Sequence, residues 1–194
     1  MSDPFSTVLG RLLDRPIPAA EDVRAAFDAI LGGQWTPAQV AAFAVALRIR
    51  GESAEVIVAA AEAMRSAMSR VQHDLPVVVD TCGTGGDGAH TLNLSTAAAL
   101  VVAACGLPVA KHGNRSISSR CGSADVVEAL GVPIDVPAAR QHEVLREAGI
   151  AFLFAPAHHP ALKHAAQAVP DGRTIVCDEN ALPRLARIRL ARIL

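Results

Sequence analysis

Residues 75–88, LPVVVDTCGTGGDG, run a β-branched apolar stretch straight into four glycines within six positions. The valines predict a strand, and glycines at its carboxyl end leave the backbone bare enough for successive N–H groups to converge on one concavity. Such a nest binds the oxygens of an anion, and a helix starting just beyond it adds the partial positive charge of its N-terminus. The feature needs a sheet whose strand ends open onto a ligand, which points to an α/β fold of parallel strands and crossover helices. From Leu75 onward the chain supplies that alternation. The strands PVVVD, LPVA and AFLFAP are predicted between a helix from Ser95 to Cys105 and the helices SADVVEALG and PAARQHEVLREAG.

The first 70 residues follow a different period. FSTVLGRLLD, AEDVRAAFDAILGG, TPAQVAAFAVALRIRG and SAEVIVAAAEAMRSAMSRV carry apolar residues three and four apart and predict helices throughout. Gly32-Gly33 and Gly51 are stops, Thr36-Pro37 is an N-cap followed by proline in the first turn, and Ser53 is a second N-cap. The expected organisation is a helical subdomain over residues 1–70, an α/β domain over 71–164, and a tail over 165–194. The helical part carries more Ala, Val and Leu surface than short helices can bury among themselves, which predicts a homo-oligomer.

Composition narrows the function. At 194 residues, 51% hydrophobic and 19% charged, the chain is globular, and its formal net charge of -1 gives no global basic field for nonspecific nucleic-acid binding. Attraction for an anion must therefore be local. Cys82, Cys105, Cys121 and Cys177 lack the spacing of zinc or redox sites, and MSDPFSTVLG is no signal peptide, so a cytoplasmic protein with reduced thiols is expected. The most apolar stretch, LSTAAALVVAACGLPVA, is short of the ~20 residues of a membrane span and reads as a buried helix followed by a strand.

Glycines alone are also consistent with a turn that merely packs close. The residues beyond them favour a polyphosphate pocket. Between Gly88 and Ala124 there is no Asp or Glu, while Lys111, Arg115 and Arg120 fall there with Asn93, Ser95, Thr96, Asn114, Ser116, Ser118 and Ser119. The Walker pattern fails because no Gly-Lys-Ser/Thr comes after the glycines. Gly83-x-Gly85-x-x-Gly88 matches the dinucleotide fingerprint in letters, but that fingerprint needs an acid about 20 residues on, where this chain has none. Lys111 and His112, leaving the strand LPVA, are expected at the same sheet edge as the glycine loop.

GTGGDG, TLNLST, KHGNRSISS and GSADVVEALG, in this order and spacing and continuing to FLFAPAHHPALKHAA, resemble the anthranilate phosphoribosyltransferase family over about residues 1–164. The resemblance implies an N-terminal helical subdomain, dimerising through that region, and a partial parallel-sheet α/β domain of the nucleoside phosphorylase/phosphoribosyltransferase type. It implies transfer of the phosphoribosyl group of 5-phosphoribosyl 1-pyrophosphate to the amine of anthranilate, with release of pyrophosphate, in tryptophan biosynthesis. The donor-binding positions it implies are Gly83, Gly86, Asp87, Thr91, Asn93, Leu94, Ser95, Thr96, Lys111, His112, Gly113, Asn114, Arg115, Ser116, Ile117, Ser118, Ser119 and Ser123. By the same resemblance Lys111, Asn114 and Ser95 carry the catalytic roles, Ser95 is the position for one Mg2+ ion, and Gly83, Asn114 and Arg173 face anthranilate. A nucleoside phosphorylase-like enzyme is the neighbouring alternative, disfavoured by KHGNR, and a non-catalytic binding protein that kept the fold is the other.

After HPALKHAA the chain departs from the family pattern and reads QAVPDGRTIVCDENALPRLARIRLARIL. Asp178-Glu179 has the letters of the family's second magnesium pair in the wrong place, and from Ala181 to Leu194 there are four arginines and no acid. At most trace turnover is expected of a chain that ends there. His158, His159 and His164 lack the partners of a metal site and read as helix-start or substrate-wall residues, Cys82 and Cys121 as small buried side chains flanking the pocket, and Trp35 as packing surface.

Overall fold

The computed structural model describes residues 4–83, 92–116 and 121–166. They fall into two compact units: one runs up to Met68 and resumes at His159, the other spans Ser69–His158.

The first unit is helical, with α1 (Pro4–Asp14), α2 (Ala20–Leu31), α3 (Pro37–Arg50) and α4 (Ala54–Ala67). Helix α3 starts where its sequence says it should. The Thr36 hydroxyl accepts from the Gln39 N–H at 3.3 Å, the Gln39 carboxamide accepts from the Thr36 N–H at 2.8 Å, and Pro37 occupies the first turn. Ser53 caps α4 by accepting from the Val56 N–H. Gly33 and Gly51 adopt the positive φ, 68° and 84°, that end α2 and α3. The apolar faces close a core of Val8, Leu12, Val23, Ala26, Ile30, Val40, Phe43, Leu47 and Val56, with Trp35 edge-on between Phe5 at 5.2 Å and Phe43 at 5.6 Å. Asp22 is buried in this unit and is paired with Arg11 and Arg15, which approach it at 3.0 and 3.5 Å. A turn at Pro160–Leu162 and a short helix, Lys163–Ala166, complete it.

The second unit is α/β, as the alternation predicts. It contains α5 (Leu94–Ala104), β1 (Val109–Gly113), α6 (Ser123–Ala129), α7 (Ala138–Ala148), β2 (Ile150–Phe154) and α8 (Ala155–His158). Strands β1 and β2 pair in parallel with Val109 opposite Ile150 and Gly113 opposite Phe154, so α6 and α7 form the crossover. Gly149 at φ 70° ends α7 and turns the chain directly into β2. Gln141 of α7 is fully buried and donates to the Phe152 carbonyl at 3.0 Å and the Val136 carbonyl at 3.2 Å, fixing helix to strand. The core packs Ala124, Val127, Ile134 and Phe152 on one side and Leu145, Ala151 and Leu153 with Val71, Leu75 and Val78 on the other.

The structure corrects two expectations. PVVVD forms no full strand: only Val79 bridges to Val109, because the run begins at Pro76, which has no N–H to pair, and Val77 stands exposed. The helix LSTAAALVVAA is present but only Thr96 and Ala99 are buried, while Leu94, Leu100 and Val101 face outward, since among the described residues no layer covers that side.

Candidate functional site

The site is built at the carboxyl ends of the parallel segments. Beyond the Val79 bridge come Asp80, Thr81, Cys82 and Gly83, and beside them β1 delivers Lys111, His112 and Gly113. Alternation along β1 turns Lys111 inward with Val109. Its side chain is 3% exposed, and its ammonium donates to the His112 carbonyl at 2.6 Å. Burial pushes the Lys111 pKa down, opposed by the nearby negative charge of Asp80 and the Cys82 thiol. A buried cation held by one carbonyl has donor capacity left for an anion.

Three hydrogen bonds gather the other segments. The Thr81 hydroxyl donates to the Ser95 carbonyl at 2.7 Å, joining the start of the glycine loop to the first turn of α5. The Asn93 carboxamide donates to the Cys121 carbonyl at 3.2 Å, bringing the N-terminus of α5 to the segment before α6. The Ser123 hydroxyl accepts from the Asn114 N–H at 3.2 Å. Thus Gly83, Asn93, Ser95, Lys111, His112, Gly113, Asn114 and Ser123, predicted from distant parts of the sequence, belong to one connected edge. Leu94 of the same set points to solvent at 64% exposure, and the Thr96 hydroxyl is buried without a hydrogen-bond partner among the described residues.

Arg115 behaves differently from what the acid-free stretch suggests. Its guanidinium meets Glu128 at 2.8 and 3.1 Å and Asp125 at 3.3 Å, and lies over the Phe154 ring at 5.9 Å. Asp125 in turn accepts from the Gly122 N–H at 2.7 Å and the Ser116 N–H at 3.1 Å, so its carboxyl is held below the usual range. The local positive charge therefore rests on Lys111 more than on Arg115. Sequence reasoning passed over Asp125 and Glu128, although an acid three residues after Gly122 at a helix start is a recognisable cap signal.

Gly86, Asp87, Thr91, Ile117, Ser118, Ser119 and Arg173 lie outside the described residues, as do Asp178, Glu179 and the arginines of the tail. Cys82 and Cys121 are exposed rather than buried, because both lie on loops at the rim of the strand ends. His158 is buried, its Nδ1 at 3.1 Å from the Ser69 carbonyl and its ring 6.1 Å from that of His112. Among the described residues no three His, Cys, Asp or Glu side chains gather to hold a metal ion. Magnesium keeps much of its water and takes substrate phosphates as ligands, so a residue such as Ser95, half-buried in the first turn of α5, could hold it as a single protein contact.

Comparison with known proteins agrees with this architecture. Residues 6–68 match the helical bundle domain of a glycosyl transferase family, and residues 75–175 match its a/b domain. The anthranilate phosphoribosyltransferase of Desulfosudis oleivorans is 53% identical over 161 residues, which are 83% of this chain and 48% of that protein. The crystal structure of the Thermus thermophilus anthranilate phosphoribosyltransferase superposes with a TM-score of 0.80 at 39% identity, covering 93% of this chain and 54% of that one. The Saccharomyces cerevisiae enzyme in complex with PRPP and Mg gives 0.82 at 28% identity, over 96% and 56%. The chain thus spans about half the length of the curated relatives it matches.

Proposed function

This chain belongs to the glycosyl transferase family whose helical bundle and a/b domains it matches, and from that premise we propose that it binds 5-phosphoribosyl 1-pyrophosphate with magnesium for transfer of the phosphoribosyl group to anthranilate. The single observation that carries the proposal is the buried Lys111 ammonium on the edge shared by the glycine-loop start, the N-terminus of α5 and the Asn114–Ser123 pair.

In the reaction the anthranilate nitrogen bonds to the anomeric carbon, the bond from that carbon to pyrophosphate breaks, pyrophosphate leaves with the electron pair, and the amine releases a proton to water. An aromatic amine is already a neutral nucleophile, so no strong base is required. The protein's work is alignment and relief of the negative charge growing on the leaving group. Lys111 supplies fixed positive charge for the donor's phosphates, and the first-turn amides of α5 add to it. Asn114 is held just beyond β1 to orient the reacting groups, with Gly83 on the anthranilate side. Ser95, with the donor's own phosphates, would hold magnesium, which would offset phosphate charge.

The chain is expected to act as a homodimer in the cytoplasm. In support, the helical unit carries an open apolar groove of about 470 Å³ lined by Leu9, Leu13, Ala41, Ala42, Val45, Ala46 and Ile49. Among the described residues no helix is long and apolar enough to cross a membrane.

Ligand-dependent melting tests the reading. The donor with magnesium is expected to raise the melting temperature. A rise with a nucleoside plus phosphate instead favours phosphorylase chemistry, and no rise with either leaves a fold that binds no such ligand.

A further inference from the structure

We infer that Asp80 is the positioning residue of this site: its carboxylate ties the opening of the glycine loop to the strand that carries Lys111, so that both meet an anionic ligand as one rigid edge. A carboxylate beside an anion pocket is electrostatically unfavourable for the ligand, so its presence calls for a different role. The backbone supplies one. Val79 exchanges ladder bonds with β1, its N–H donating to the Pro108 carbonyl and its carbonyl accepting from the Ala110 N–H, both at 2.9 Å. One step further along β1, the His112 N–H donates at 3.3 Å to Oδ1 of Asp80, a side chain standing in for the next rung. The same oxygen accepts from the Cys82 N–H at 2.8 Å, which bends the chain into the loop as an Asx turn does.

The second oxygen reinforces the clamp. Oδ2 lies 4.0 Å from His112 Nδ1, and the carboxylate is 9% exposed, so its charge is felt by the Lys111 and His112 side chains rather than by bulk water. That charge opposes the lowering of the Lys111 pKa by burial, and is a smaller effect than the burial itself. Asp80 thus fixes two amides by geometry, without touching the ligand. Only the identity of the ligand rests on the proposed donor binding.

The test compares the parent chain with Asp80→Ala and Asp80→Asn, by hydrogen exchange of the Cys82 and His112 amides and by calorimetry with the phosphoribosyl donor and magnesium. Asn keeps an acceptor for both amides. Asp80→Ala is expected to speed exchange at both amides by about tenfold or more and to weaken donor binding by about tenfold or more, while Asp80→Asn keeps both amides slow and the affinity within about threefold of the parent. Parent-like exchange at both amides in Asp80→Ala overturns the proposal. So does an Asp80→Asn chain that loses about tenfold in affinity with its amides still protected, and this arm decides the matter if Asp80→Ala does not fold. If the parent binds no donor, the donor reading fails while the exchange comparison still judges the clamp.

Discussion

Ser123 and Asn114 hold each other by two hydrogen bonds: the Ser123 hydroxyl accepts from the Asn114 N–H at 3.2 Å and donates to the Asn114 carbonyl at 3.3 Å. With the Ala124 N–H also donating to that carbonyl at 3.1 Å, the start of α6 is stapled to the segment leaving β1. Asn114 therefore has little freedom, which suits the aligning role proposed for it.

The staple leaves no room at Gly122. A β-carbon there would meet the Ser116 nitrogen and approach the Asn114 oxygen to 2.7 Å, both backbone atoms that cannot swing away. Gly122→Ala is expected to destabilise the chain by about 1–3 kcal/mol in urea unfolding. Gly83→Ala, where a β-carbon meets nothing within 4 Å among the described residues, is expected to change stability by less than about 0.5 kcal/mol.

Asp125 makes the fold sensitive to acid. The Gly122 and Ser116 amides, then Arg115, hold its carboxyl below the ordinary range. A group whose folded pKa is depressed adds stability above its unfolded pKa and loses it as pH falls through the folded value. Asp125→Ala is expected to cost about 1–2 kcal/mol near neutral pH. The difference from the parent should shrink in acid, and urea midpoints across that range check it.

Lys111 shifts stability with pH in the same direction, but in the alkaline range, because its lowered pKa reflects the cost of burying a cation. Its folded pKa lies below the ordinary 10.5 because it is buried, so between the two values the unfolded chain holds more protons and stability rises with pH. Lys111→Met should abolish that alkaline rise and fold at least as stably without ligand. It should also lose about thirtyfold or more in donor affinity, the cost of removing a charge-assisted contact. Melting scans with and without donor read both effects.

The groove on the helical unit predicts assembly. Ile49 is 77% exposed at its edge, and Val45 lines it. Ile49→Asp or Val45→Asp is expected to convert a dimer to a monomer in light scattering with helical content unchanged. A monomer mass for the parent at every concentration contradicts the dimer.

Local rules carried the sequence reading a long way. Thr36, Ser53 and Gly51 begin or end helices where their chemistry says, because caps and positive-φ glycines act within a few residues. The parallel pairing of LPVA with AFLFAP was legible from the helices between them. Features that depend on distant partners were harder to read. The basic character assigned to Arg115 ignored Glu128, thirteen residues away and one helix on. Asp80 looked like the end of a strand, since nothing in LPVVVD says that His112 will lie beside it. PVVVD has strand composition, yet only Val79 pairs, since pairing is a property of neighbours rather than of the run itself.

Calorimetric titration of the chain with 5-phosphoribosyl 1-pyrophosphate and magnesium, alongside Lys111→Met, tests the central claim most directly. Saturable binding at one site per chain that disappears in Lys111→Met is the predicted result. No binding by the parent, or equal binding by the variant, would contradict the reading of this strand edge as a phosphoribosyl-donor site.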